Sequence, residues 1–187
     1  MILYHVDRSG HLATGMKIDL VKNFEKLVPE YYFEGLSSHG VQYYLRDFKS
    51  KDDTLEAVFE YERRLHYSDK FSRLTSFYAS DAASVLKGIE KRKLDEVFYK
   101  IYEIEVSDDC YQKYVMNLVR GWNMESTIYY AKCYWENKKD EIFKADEEPF
   151  YEYLVKLPVV IGKEVTKKEL ESVSYTHLRA HETCADL

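Results

Sequence analysis

The segment VFYKIYEIEV, residues 97–106, constrains the fold more than any other stretch. Its second half alternates Tyr102, Ile104 and Val106 with Glu103 and Glu105. Side chains on a strand point to opposite faces with a period of two, so the pattern predicts one face in the core and one in water. One-sided strands suit antiparallel sheets, whereas strands of a parallel sheet are covered on both faces and read as continuous apolar runs. Three further segments read as strands: ILYHV (2–6), RLTSFYAS (73–80) and FYEYLVKLPVVIGKEV (150–165). Pro158 in the last predicts an edge or a bulge, because it has no N–H for a sheet ladder.

Helical signals lie between these strands. Residues 19–28 predict a short helix before Pro29, and Asp52 or Asp53 is expected to cap a longer one. There Leu55, Val58, Phe59 and Leu65 share an apolar face, with Glu56, Glu60, Arg63 and Arg64 on the solvated side. Asp81 opens another helix, with Ala82, Val85, Leu86 and Ile89 at i, i+3, i+4 and i+7. Ser126 is expected to cap a helix running through Ala131 and Trp135 to about Asn137. Residues 31–48, punctuated by Gly35 and Gly40, predict a loop with brief strands, and ENKKDEIFKADEEP a charged loop. This mixed order of strands and helices favours an α+β fold over a doubly wound sheet.

The closing stretch VSYTHLRAHETCADL resembles the translation of an adapter used in transposon-based sequencing libraries. His177, His181 and Cys184 would otherwise suggest zinc ligands, but that reading is set aside with the tail. The expectation is one domain over residues 1–172 and a non-native tail over 173–187. A formal net charge of −6 argues against nonspecific binding to nucleic acid or an anionic membrane. With 18 Tyr and 9 Phe, the composition suits a packed core, not a disordered chain. Cys110 and Cys133, without close spacing, read as reduced thiols. MILYHVDRSG lacks the basic leader and long apolar run of a signal peptide, and no stretch is apolar enough to span a membrane. A cytoplasmic domain without a metal is therefore expected.

No Walker loop, dinucleotide fingerprint, HExxH or nucleophile elbow is present. The candidate chemistry sits in polar residues at strand ends. His5 lies in the first strand, followed by Arg8, and reads as a packed histidine or a ligand-binding one. Ser72, Arg73, Ser76 and Tyr78 form a row on or beside one strand, either a surface face or a binding edge. Asp108 and Asp109 follow the best strand, where acids commonly begin a turn. Trp135 reads as core, and His39 beside Gly40 as a loop residue.

In combination, these blocks resemble a known family. LYHVDRSGHLATGMKI, FSRLTSFYASDAASVLKGI, VFYKIYEIEVSDD and FYEYLVKLPVVIGKEV are similar, in order, to four blocks of rifampin ADP-ribosyltransferase-like proteins. SRLTSFYA and Tyr134-Trp135 resemble a related uncharacterised bacterial family, from which Leu74 and Thr75 depart. The resemblance implies a split β-sandwich flanked by helices, with NAD as substrate in its cleft. It would give His5 the adenosine-side ribose and Tyr78, or Phe77, the nicotinamide. Arg73 would contact a phosphate, with Arg8, Ser72 and Ser76 beside the cofactor. Asp109 would stabilise the cationic transition state or orient the acceptor, with Asp108 and Glu125 as alternatives. YQKYVMNLVRGW departs from the rifampin enzymes, leaving Asn117 as a separate ligand candidate. Residues 31–70 have no counterpart there, so rifampin is not the expected acceptor. The implied activity is an ADP-ribosyltransferase acting inside a bacterial cell on an unknown acceptor, with a toxin or phage-conflict role in keeping. The alternative is a catalytically silent relative that binds a nucleotide or a protein.

Overall fold

The computed structural model describes residues 1–25, 33–45, 50–94, 97–138 and 149–174. In chain order these form β1 (Ile2–Asp7), β2 (Lys17–Ile18), α1 (Ser38–Tyr44), α2 (Lys51–His66), β3 (Ser76–Ala79) and α3 (Ala82–Lys91). Then follow β4 (Lys100–Glu105), β5 (Tyr111–Val115), α4 (Met124–Glu136), β6 (Tyr151–Lys156), β7 (Val159–Val160) and β8 (Glu164–Val165). A helical stretch occupies 167–174. The fold is α+β, and all its strand pairs are antiparallel. The charged loop and the tail fall, from 139 to 148 and from 175 on, outside the described residues.

Two three-stranded sheets, ordered β1-β4-β8 and β3-β6-β5, carry the architecture. Strand alternation sends one face of each into a shared core. Leu3, Tyr102 and Ile104 from the first sheet meet Phe77, Ala79, Tyr153 and Val155 from the second. Helices cover the outer faces. α3 packs on β1 and β4 through Ala82, Val85 and Ile89, against Tyr4 and Ile101. α2 and α4 pack on the other sheet through Leu55, Phe59, Tyr130, Tyr134 and Trp135, against Tyr114 and Leu154. A bridge between Tyr4 and Ser80 joins β1 to the end of β3, so the two sheets meet along a seam.

The alternation read in β4 is present: Tyr102, Ile104 and Val106 are buried, Glu103 is half-buried and Glu105 exposed. The strand begins only at Lys100, leaving Val97 and Phe98 exposed. Asp81 caps α3 as expected, accepting from the Ser84 amide at 2.7 Å. Trp135 is core, donating from Nε1 to the Phe59 carbonyl. Pro158 ends β6 before β7 begins. Among the described residues, Cys110 and Cys133 form no disulfide.

Several local expectations are corrected. Ser50, not Asp52 or Asp53, caps α2, and Asp53 returns the contact to the Ser50 amide at 2.7 Å in a capping box. Asn123 caps α4, with Ser126 in the reciprocal position. The expected loop at 31–48 contains α1, because Ser37 caps it and two hydrogen bonds to the Leu74 carbonyl hold its start. Residues 19–25 hold no helix, and the bridge from Val21 to Leu36 takes their place. Ser72–Thr75 turn before β3 instead of extending it. On α2 the expected faces are partly exchanged: Leu65 is 55% exposed, while Glu56 and Glu60 are buried. Among the described residues, no helix is long and apolar enough to cross a membrane.

Candidate functional site

At the seam between the sheets lies a cleft of about 520 Å³. β1 supplies His5, with Arg8 just beyond it; β3 supplies Tyr78; and α1 supplies His39 and Tyr43. Asp52 and Glu56 of α2, Glu152 of β6 and Arg92 at the end of α3 complete its charged lining, with Arg73 at its floor.

His5 is held by Nδ1, which lies 2.7 Å from the Tyr78 carbonyl and donates to it, so that Nε2 carries the lone pair. Its ring packs 4.6 Å from that of Phe77. Burial lowers its pKa and outweighs the Tyr78 carbonyl and Asp7, which raise it, so the ring is kept neutral. Asp7, next but one, accepts from the amides of Ser9, Gly10 and Leu12, and so fixes the turn that carries Arg8 into the cleft.

The floor is a buried ionic cluster. Arg73 is only 3% exposed, and its guanidinium engages Glu56 through Nε at 2.9 Å and Nη2 at 2.8 Å. Its Nη1 donates to Glu152 and to the Tyr134 hydroxyl. Tyr134 in turn donates to Glu152 at 2.7 Å. The planar fork of an arginine suits such bidentate binding, and it spares two carboxylates the cost of burial without a partner. Burial would lower the Arg73 pKa, but Glu152 and Glu56 outweigh it and hold it well above the ordinary value. Burial would likewise raise that of Glu56, but Arg73 outweighs it, with help from His39, and brings it down to about 2.

Tyr78 donates its hydroxyl to the Arg73 carbonyl at 2.9 Å. The Arg73 guanidinium lies 5.2 Å and the His39 ring 4.6 Å from its ring centre. At the other end, Arg8 and Arg92 line the cleft and have no acidic partner within salt-bridge distance among the described residues. Burial lowers the Arg92 pKa, and the like charge of Arg8 adds to it. The cleft thus runs from a cationic rim to a carboxylate floor walled by aromatic rings.

Residues 3–167 match the model of a family described as a protein of unknown function, DUF2441. The chain belongs to this family. No curated protein matches it. The match runs from β1 to the end of β8, so every cleft residue named above lies within it. The family description assigns no chemistry, and the site must be read from its residues.

Of the residues singled out in the sequence, the cleft brings together His5, Arg8, Arg73 and Tyr78. Arg73 is bound on four of its N–H positions, leaving little of its fork for a phosphate. Ser72 and Ser76 do not line the cleft: Ser72 donates to Glu60 at 2.7 Å and Ser76 to the Ser72 carbonyl at 2.8 Å, both buried. The row from Ser72 to Tyr78 is therefore not a surface face. Phe77 points into the core between the sheets. Asp109 and Asp108 sit in the exposed turn between β4 and β5, and Glu125 is exposed in the first turn of α4, so none of the three expected acids faces His5. Asn117 accepts from the Phe150 amide at 2.9 Å, outside the cleft lining. Among the described residues, no group of three or more His, Cys, Asp or Glu is placed to hold a metal.

Sequence reasoning missed Glu56, Glu152, His39 and Arg92. Glu152 had a signal, since it is a charge inside the closing strand FYEYLV at a position facing the helices. Glu56 had none, because an acid beside an apolar stripe is ordinarily solvated.

Proposed function

We propose that this cleft binds NAD and cleaves its nicotinamide–ribose bond, transferring ADP-ribose to an acceptor inside a bacterial cell. Such cleavage builds positive charge on the ribose, and an anion fixed nearby stabilises it, as in glycoside cleavage. One observation carries the reading: buried carboxylates, Glu56 and Glu152, line the same cleft as His5 and Tyr78. In this reading Glu152 takes the role expected of Asp109. His5 offers Nε2 to a ribose hydroxyl, while Arg8 and Arg92 attract the diphosphate and the tyrosines face the nicotinamide.

A second reading is favoured by Arg73. It occupies both carboxylates, and a cleft so neutralised suits an NAD-binding module that performs no cleavage. Incubation of the full chain with labelled NAD and lysate separates the two. Label on a protein, nucleic acid or small molecule, lost in His5→Ala, supports the transferase. Binding of NAD by calorimetry without nicotinamide release supports the silent module, and absence of binding removes both.

A further inference from the structure

Transfer of ADP-ribose to a hydroxyl, amine or water requires that the nucleophile lose a proton. The two buried carboxylates of the cleft are poor acceptors for it, because Glu56 and Glu152 are engaged by Arg73, and Glu56 is held at about 2; the third, Asp52, is exposed. His39 is free of that constraint. It lines the cleft with its side chain 23% exposed, and its Nε2 lies 3.2 Å from Glu56 Oε1, at ion-pair distance without hydrogen-bond alignment. Its Nδ1 has no hydrogen-bond partner among the described residues.

The ring is also held in place. It lies 4.5 Å from the ring of Tyr43, one turn along the same helix, and 4.6 Å from that of Tyr78 on β3. The helix beneath it is fixed because Ser37 caps it and the Ser37 amide and hydroxyl both donate to the Leu74 carbonyl at 3.0 Å. A carboxylate beside one imidazole nitrogen keeps the proton there and leaves the other nitrogen as a base.

The geometry points to His39 as the general base of this cleft, with Glu56 as its positioning residue. The inference rests on the NAD reading above and adds the proton acceptor to it. With water as nucleophile, the water oxygen bonds to C1′ of the nicotinamide ribose and its proton passes to His39 Nδ1. The C1′–N bond breaks with its electron pair returning to the pyridinium ring, so nicotinamide leaves neutral. The resulting imidazolium lies beside Glu56. Besides Glu56 from α2, the groups facing it are Tyr43 from α1 and Tyr78 from β3, while Arg73, from the turn before β3, binds the same Glu56 oxygen.

The test uses the purified full chain with NAD alone and water as acceptor, following nicotinamide release from about pH 5 to about pH 9. His39→Gln keeps an amide able to bond Glu56. It is expected to lower kcat about a hundredfold, leave KM for NAD unchanged and abolish the acidic limb of the profile. Nitrogen NMR of the wild-type protein is expected to show the resting proton on Nε2. Wild-type kcat and an unaltered acidic limb in His39→Gln overturn the assignment, as does a resting proton on Nδ1. If the wild-type chain neither binds nor cleaves NAD, the NAD reading fails first and the base role falls with it. Cleavage that survives in the variant sinks His39 alone.

Discussion

Asp109 and Glu152 are both carboxylates close to aromatic strands, yet they stand at opposite extremes of environment. Asp109 lies in the exposed turn between β4 and β5, touched by the Cys110 thiol at 3.5 Å. Glu152 lies within β6, 2% exposed, bound by the Arg73 guanidinium and the Tyr134 hydroxyl. An acid in a solvated turn costs the fold almost nothing, so its presence says little about chemistry. A carboxylate in the middle of a buried strand costs several kcal/mol unless a partner is built for it. The partner here is Arg73 from the turn before β3, joined by Tyr134 of α4, and the same guanidinium also binds Glu56 of α2.

Removing the partner tests that contrast hardest. Arg73→Ala leaves Glu56 and Glu152 buried without their cation, and is expected to cost at least about 3–5 kcal/mol in urea unfolding. A loss below about 1 kcal/mol would show that water reaches these carboxylates as it reaches Asp109.

The same contrast predicts an acid sensitivity. The pKa of Glu56 is brought down from 4.5 to about 2, so folding favours its ionised form. Its contribution is full above about pH 4.5, and is lost as pH falls toward about 2, with a magnitude on the order of 3 kcal/mol. Urea midpoints through that window should fall more steeply for the wild type than for Glu56→Gln. Parallel curves would mean that the pairing with Arg73 does not lower this pKa.

A smaller effect is expected where α1 meets the Arg73 turn. A Cβ on Gly40 would stand 2.0 Å from the Leu74 carbonyl oxygen, so Gly40→Ala must push the helix away. The expected cost is about 1–3 kcal/mol in thermal unfolding. Since α1 also carries His39 and Tyr43, affinity for NAD should fall with it. Unchanged stability would show that α1 is not seated on this turn.

These effects also explain what could be read in the sequence. The β4 alternation, the Asp81 cap and the apolar period of α3 are local patterns, and each folds as the residues suggest. The cleft is not local. Glu56 and Arg73 lie 17 positions apart, and Arg73 and Glu152 79 apart. Periodicity placed Glu56 and Glu60 near water because apolar stripes carry no information about a distant arginine. His39 was read as a loop residue because α1 is nucleated by a hydrogen bond to Leu74, far along the chain. His5 and Tyr78 were singled out through the strand blocks that resemble a known family, and both line the cleft.

The smallest expected effect is the sharpest test of the opening comparison. Asp109→Ala removes an exposed side chain from a turn, so stability should change by no more than about 0.5 kcal/mol. Where nicotinamide release is measurable, the variant should match the wild type, while Glu152→Gln and His5→Ala should each lower it. Glu152→Gln keeps the size of the side chain and its bond to Tyr134, so a folded but slow variant would place the effect on the charge itself. A folded Asp109→Ala that loses activity would instead bring the β4–β5 turn over the cleft in the working protein. In that case exposure at rest would be a poor guide to which acid does the chemistry, and the comparison between the two carboxylates would have to be reversed.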